Sequence, residues 1–201
     1  MKTFFYNAII ILSLSALSSC NNKNETAKNT MKEETKIDSA IVNGSPCDIK
    51  LSSIHFTKTV NGADTLIKTE ANEKVIFKAG EKSDYFSDPD GKLSNTTAPM
   101  LLSKVDNTKP FTLTAKVTPE FTEKGLYNAG VLYIYVNDSF YQKFCFEQDE
   151  RGNHRVVTVR TMGTSDDNNH DIVKQPSIYM KISSDTKTVA SYYSLDKKNW
   201  Q

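Results

Sequence analysis

From Leu51 onward, the sequence alternates between short segments rich in Val, Ile, Thr, Tyr and Phe and polar turn signals. SIHFTKTV precedes Asn61-Gly62, for example, and FYQKFCFEQ precedes the turn at Asp149–Asn153. Segments of this kind are typical of β-strands, because branched and aromatic side chains fit a pleated surface. No segment repeats apolar residues at helical spacing between capping signals, so we expect no major helix. The pattern predicts an all-β fold, an antiparallel sandwich or barrel.

Nine segments carry the strand pattern, and one long polar stretch interrupts them. The stretch MGTSDDNNHDIVKQP, residues 162–176, is rich in Asp and Asn, and we predict it to be a loop. The predicted strands are SIHFTKTV, TLIKTE, KVIFKAG, FTLTAKVTPEF, GVLYIYV, FYQKFCFEQ, HRVVTVRT, SIYMKIS and TVASYYSL.

The strand FYQKFCFEQ is the most informative, because its two faces differ in character. Alternate side chains of a strand point to opposite faces. One face carries Phe140, Gln142, Phe144 and Phe146, and we expect it in the core. The other face carries Tyr141, Lys143, Cys145 and Glu147. That second face is either a solvated sheet surface or a ligand-binding surface.

Charge and motif content exclude several function classes. The chain has 25 basic and 24 acidic residues, so it presents no basic field that would attract nucleic acid. It also lacks a phosphate-binding glycine loop, zinc-ligand spacing and a Ser-His-Asp arrangement. We therefore expect no cofactor, no metal and no nucleic-acid partner.

The first residues have the features of a secretory signal. Lys2 gives a positive start, and residues 4–17 form a mostly apolar run that is shorter than the ~20 residues of a membrane span. The run ends in Leu17-Ser18-Ser19-Cys20, which resembles the lipobox of bacterial lipoproteins. The resemblance implies that residues 1–19 are a signal peptide and that Cys20 is diacylated and anchors the protein in a lipid bilayer. An ordinary signal peptide with a chance cysteine is the alternative.

Residues 20–46 have the composition of a disordered tether. They contain almost no apolar residue before Ile37 and many Asn, Lys, Glu and Thr. We expect them to hold a folded domain, residues 47–201, away from the membrane. The predicted location is therefore an exported, membrane-anchored one, in the outer membrane, the periplasm or at the cell surface.

Two cysteines remain besides Cys20. Cys47 and Cys145 form an even pair in an oxidising compartment, which is compatible with a disulfide. Cys145 lies between two Phe residues in a strand, so a buried free thiol is the alternative.

The order of several motifs resembles a bacterial family of concanavalin A-like domains. These motifs are NAGVLYIYV, YQKFCFE, VVTVR, the Ser165-Asp166 pair and the closing YYSLDKKNW, with SDYF upstream at residues 83–86. The family is domain of unknown function 1349, and some of its members are labelled "regulation of enolase". The resemblance covers roughly Ile54 to the end and implies a jelly-roll sandwich of two antiparallel sheets. Three positions depart from the family pattern: Cys145 and Lys197 replace glycines, and Asp167 replaces an aromatic residue.

The end of the chain lies within the last of these motifs. In the resembling family, the Trp that corresponds to Trp200 begins a further strand. Here one residue follows it. We therefore expect the sandwich to lack its last one or two strands.

Carbohydrate binding on the concave sheet face is the first functional hypothesis, by analogy with related sandwich folds. A sugar site combines aromatic surface with fixed polar groups. The candidate ligand-binding residues are Lys143, Glu147, Thr158, Arg160, Asp166 and Tyr141.

Three alternatives stay open. A glycoside hydrolase would use two carboxyl groups, for which Glu147 and Asp149 are the candidates. A polysaccharide lyase would need a base such as His55, His154 or His170. A calcium site could use the oxygen ligands of residues 165–171, although an acidic solvated loop explains them as well.

Overall fold

The computed structural model describes residues 42–201, which contain fourteen β-strands and one short 3₁₀ helix, Ala63–Thr65. The strands are β1 Ser45–Lys50, β2 His55–Val60, β3 Ile67–Glu70, β4 Lys74–Phe77, β5 Tyr85–Ser87, β6 Ser94–Thr96, β7 Met100–Leu102, β8 Phe111–Val117, β9 Ala129–Asn137, β10 Phe140–Gln148, β11 His154–Met162, β12 Thr164–Ile172, β13 Ile178–Ser184 and β14 Val189–Ser194.

All strand pairs among these residues are antiparallel, and the predicted all-β sandwich is confirmed. The central sheet has the order β12-β11-β10-β9, so it is a meander of neighbours in sequence. A second sheet has the order β14-β13-β8, and a third has the order β1-β2-β7. The β3–β4 and β5–β6 pairs form separate two-stranded ribbons.

The main core lies between the central sheet and the β14-β13-β8 sheet. Phe144 and Phe146 of β10 pack there against Met180 and Ile182 of β13, and all four side chains are buried. Burial of each such side chain stabilises the fold by roughly 1.5–3 kcal/mol. The prediction that the Phe face of β10 belongs in the core is therefore confirmed.

The opposite face of β10 is also covered. Tyr141 packs with Tyr135 of β9 beneath Tyr85 of β5, and Val60 of β2 and Met100 of β7 complete the cluster. Cys145, on the same face, is fully buried and packs with Val157 and Val159 of β11. A solvated sheet surface is therefore the wrong interpretation of this face, because the β5–β6 ribbon and the third sheet lie over it.

The polar stretch predicted as a loop forms a strand instead. Residues Thr164–Ile172 are β12, which pairs with β11 and has its other edge unpaired in the sheet order. All of its residues except Ser165 are exposed. An edge strand that faces water can consist of polar residues, and charged side chains there discourage pairing with another chain.

Several predictions concern residues outside the described part of the chain. The predicted signal peptide, the predicted acylation of Cys20 and most of the predicted tether fall on residues 1–41. Within residues 42–201, Cys47 and Cys145 are both free thiols. No helix in that range has the length and apolar character needed to cross a membrane.

Candidate functional site

Lys143 is the buried charge at the centre of the covered face. Its side chain is 7% exposed, and its Nζ atom donates a hydrogen bond of 3.1 Å to Oδ1 of Asp84. Asp84 directly precedes β5, and its side chain is 49% exposed. The same Oδ1 atom accepts a hydrogen bond from the backbone N–H of Tyr85. The pair thus joins the central sheet to the β5–β6 ribbon, and its carboxylate end reaches solvent.

Lys143 remains charged in this position. Burial by itself lowers the pKa of Lys143, but the nearby Asp84 and Glu147 carboxyl groups raise it, and the net pKa lies above the usual value. Burial raises the pKa of the Cys145 thiol to about 12, so this thiol is neutral at pH 7. The Asp84 carboxylate is therefore the counter-ion that keeps the ammonium group charged inside the fold.

Glu147 lies on the same face, near the end of β10, and is half-buried. Within residues 42–201 its carboxyl group has neither a hydrogen bond nor an ion pair. Arg155 stands directly opposite on β11, but its Nε atom donates to Asp149 at 2.9 Å. Burial raises the pKa of Glu147 to about 7; Lys143 lowers it, and the Asp84 and Asp167 charges raise it further. The carboxyl group is thus desolvated, without a close counter-ion, and still reachable.

Aromatic rings flank these groups. The Phe86 ring lies 5.7 Å from Lys143 Nζ. Tyr127 is 58% exposed and has a left-handed backbone with φ 55°. Burial, followed by the charges of Glu150, Glu147 and Asp167, raises the pKa of Tyr127, which places its hydroxyl in the field of this acidic group. Asp167 of β12 stands opposite Val159, which itself stands opposite Lys143, so Asp167 shares the Lys143 face.

The six sequence-predicted residues divide between the two faces of the central sheet. Tyr141, Lys143 and Glu147 share the face covered by β5. Thr158 and Arg160 stand opposite Phe144 and Gln142, and Asp166 stands opposite Arg160, so these three belong to the other face. Pairs directly opposite in an antiparallel ladder share a face. The structure therefore does not bring Thr158, Arg160 and Asp166 together with Lys143, and Asp166 lies in a strand, not a loop.

The second face borders a cleft of about 430 Å³ between the central sheet and β14. Thr158 and Arg160 line it, and the Thr158 hydroxyl is 2.8 Å from Nε2 of His170. The Tyr193 hydroxyl donates a hydrogen bond of 2.7 Å to Asp171 in the same cleft. Thr158 and Tyr193 are thus each partnered with a side chain of β12.

The alternative chemistries find little support in the geometry. Asp149 accepts hydrogen bonds from the backbone N–H groups of Arg151 and Asn153 and from Arg155, so its carboxylate organises a turn. His154 stacks on Phe121 at a ring distance of 3.8 Å, as a packing residue does. Among residues 42–201, no group of three or more His, Cys, Asp or Glu side chains is placed to hold a metal ion.

Sequence reasoning missed Asp84, Phe86 and Tyr127 as members of this site. Asp84 and Phe86 belong to the SDYF motif, which was matched to a family element without a role. That motif is the signal that could have identified them. Tyr127 lies in a loop between β8 and β9, where no strand pattern assigns a direction to its side chain.

Comparisons with known proteins agree with this architecture. Residues 63–201 match a family described as "Protein of unknown function (DUF1349)". The crystal structure of a functionally unknown protein from Saccharomyces cerevisiae is similar, with a TM-score of 0.62 and 20% identity over 72% of this chain and 75% of that chain. At this identity the likeness concerns the fold alone. No curated protein matches the chain.

Proposed function

Because the chain belongs to the DUF1349 family of proteins of unknown function, we propose a function from its own residues: a glycan-binding protein with a concanavalin A-like sandwich. The proposed ligand site is the Lys143 face of the central sheet. It consists of Lys143 with Asp84, the Glu147 carboxyl group, and the Phe86 and Tyr127 rings.

The observation that carries this proposal is the state of Glu147. A half-buried carboxyl group without a hydrogen-bond donor costs stability, since burial removes water that no protein group replaces. Arg155 stands opposite Glu147 but is bound to Asp149. Hydroxyl groups of a bound sugar would supply the missing donors, and this explains why an unpartnered carboxyl group is kept here.

The neighbouring groups suit the same ligand. A sugar ring presents apolar C–H faces and hydroxyl edges, and binding sites combine flat aromatic surface with a few fixed polar groups. Tyr127 offers an exposed ring, and the half-exposed Asp84 carboxylate offers acceptors that Lys143 holds in place. The Lys143 face and the adjacent loop before β9 thus offer both kinds of contact.

A glycan array with wild-type protein and two variants tests this proposal. We expect wild type to bind a defined set of glycans and both Glu147→Gln and Tyr127→Ala to lose that binding. Glu147→Gln keeps the side-chain shape and replaces the carboxylate, whereas Tyr127→Ala removes only an exposed ring. Glu123→Gln is the matched control, because Glu123 is exposed in the loop after β8.

Two outcomes would contradict the proposal. One is the absence of glycan binding by a wild-type protein that unfolds cooperatively and is therefore folded. The other is binding that persists in both Glu147→Gln and Tyr127→Ala, which would place the ligand elsewhere.

A second candidate function is glycoside hydrolysis, and one observation favours it. A carboxyl group whose pKa is raised to about 7 by burial has the property of a general acid at neutral pH. Release of reducing ends from polysaccharides, lost in Glu147→Gln, would establish this activity. Glycan binding without release of reducing ends would support binding and contradict hydrolysis.

We also propose that the protein is an exported lipoprotein, tethered to a membrane by acylated Cys20. The support is the apolar run of residues 4–17 followed by Leu17-Ser18-Ser19-Cys20. More than one acyl chain on this residue would suffice for stable anchoring.

A further inference from the structure

The sheet β14-β13-β8 has a face directed away from the core, here called the outer face. Met180 and Ile182 of β13 point into the core, so the alternate residues Tyr179, Lys181 and Ser183 point outward. The register extends this assignment to the neighbouring strands. The residues assigned to this face are Thr112, Thr114 and Lys116 of β8, Tyr179, Lys181 and Ser183 of β13, and Ala190, Tyr192 and the buried Ser194 of β14.

Lysine side chains and aromatic rings alternate across this outer face. Lys181 Nζ lies 4.5 Å from the ring centre of Tyr192 and 4.0 Å from that of Trp200. Lys116 Nζ lies 5.8 Å from the ring centre of Tyr179, and Lys197 Nζ lies 6.0 Å from it on the closing hairpin. Three ammonium groups thus lie over three aromatic rings on this face.

Among the described residues, the three strands of this sheet place no carboxylate on the outer face. None of the outward residues of β8, β13 and β14 is acidic. Asp196, in the turn after β14 that also carries Lys197, accepts hydrogen bonds of 2.8 Å from the backbone N–H groups of Lys198 and Asn199. These bonds lower the pKa of Asp196, so it keeps one negative charge against the three lysines. The outer face therefore has a local positive charge, although the whole chain carries a net charge of only +1.

We propose that the outer face binds an acidic polysaccharide, such as a polymer of uronic acids. A uronate unit would present its carboxylate to an ammonium group and its C–H face to the exposed part of an aromatic ring, of which Tyr192 is an example. Thr112 and Ser183, joined at 3.0 Å, and Thr114 provide hydroxyl groups for sugar hydroxyls. This site is separate from the Lys143 face and does not depend on the function proposed for it.

Two other polyanions fit less well. Insertion into a bilayer needs a continuous apolar surface. Among the outward residues of β8, β13 and β14, no aliphatic side chain is larger than Ala190, and each aromatic ring has a lysine ammonium group next to it. Nucleic acids attract proteins through many phosphate contacts, and three lysines make a small electrostatic footprint. A glycan with one charge per sugar ring matches the density of lysines and rings.

Calorimetric titration of the full chain with polygalacturonate oligomers tests this proposal, with neutral cello-oligosaccharides for comparison. We expect polygalacturonate to bind, and its affinity to fall as salt rises, because salt screens exposed charges. Lys181→Gln should weaken binding about tenfold, the effect of losing one charge-assisted contact. Lys116→Gln, at an exposed position, serves as a second variant if Lys181→Gln fails to fold.

Lys50→Gln is the matched control, since it removes an exposed lysine from β1. The proposal is overturned if polygalacturonate does not bind, or if Lys50→Gln weakens binding as much as Lys181→Gln does. Binding to vesicles of phosphatidylglycerol without binding to polygalacturonate would also overturn it. Loss of polygalacturonate binding in Glu147→Gln would assign the ligand to the Lys143 face, whereas unchanged binding there keeps the two sites distinct.

Discussion

Lys143 and Glu147 project from the same face of β10 into different electrostatic surroundings. Lys143 meets a carboxylate from a ribbon that is distant in sequence, and the ion pair keeps it charged. Glu147 meets no donor, because the nearest guanidinium group is bound to Asp149. The position of a residue in a strand therefore does not determine its ionisation state. That state depends on the elements that pack over the strand.

The raised pKa of Glu147 predicts how stability depends on pH. Folding moves this pKa from its ordinary value of 4.5 to about 7, so between these values the folded protein holds the proton more tightly than the unfolded chain. The contribution of Glu147 to the free energy of unfolding therefore falls as pH rises through this window. Gln cannot lose a proton, so we expect Glu147→Gln to raise the unfolding temperature relative to wild type at pH 8 and not at pH 4.

Thermal unfolding of both proteins from pH 4 to pH 8 measures this difference. The Glu123→Gln variant should follow the wild-type curve, because Glu123 is exposed. A constant difference between Glu147→Gln and wild type across the whole pH range would show that Glu147 does not titrate in this window.

At the scale of elements, the approach of β9 to β8 depends on a glycine. A Cβ atom added to Gly130 of β9 would lie 2.3 Å from Cγ1 of Val117 in β8. This distance is far below van der Waals contact, so Val117 or the strand must shift. We expect Gly130→Ala to lower the free energy of unfolding by about 1–3 kcal/mol, the usual cost of overpacking a core.

Urea denaturation monitored by fluorescence measures this change. Gly80→Ala is the matched control, since a Cβ atom there meets no atom within 4 Å. Equal stability of Gly130→Ala and wild type would mean that the two sheets can move apart without cost.

The elements also show how much of this fold could be predicted from sequence. The strand β8 was predicted because one of its faces is buried and the alternation records that burial. The strand β10 was predicted from its apolar Phe face, although its other face is covered as well. The three-residue strands β5, β6 and β7 are too short to show a period. β12 was predicted as a loop because Asp and Asn are poor strand formers, and only its pairing with β11 makes it a strand.

The candidate site could be predicted only in part from the sequence. Alternation placed Tyr141, Lys143 and Glu147 on one face, and the register confirms that they share it. The length of the turn after Gln148 decides whether Thr158 and Arg160 lie on the same sheet face as Lys143. Sequence alone does not determine that length. The partner of Lys143 could not be derived either, because Asp84 is brought to it by the packing of a distant ribbon.

For the molecule as a whole, the proposed anchor is open to a direct test. Acylation of Cys20 would add hydrocarbon that partitions into detergent, so the protein expressed in bacteria should enter the detergent phase of Triton X-114. We expect Cys20→Ser to move the protein to the aqueous phase. Cys47→Ser should leave it in the detergent phase, since Cys47 lies within β1.

Retention of Cys20→Ser in the detergent phase would contradict acylation at this residue. The association of the protein with detergent would then need another cause.

The pairing of β8 with β13 has a consequence for how the chain is made. β8 leaves the ribosome before all of β9 to β12, yet its ladder partner β13 is synthesised only after them. The central meander pairs neighbour with neighbour, so it can assemble as it emerges. Until β13 arrives, however, Phe144 and Phe146 have no Met180 or Ile182 to cover them. The apolar face of β10 thus stays uncovered until late in synthesis, which is the stage at which a chaperone would protect it.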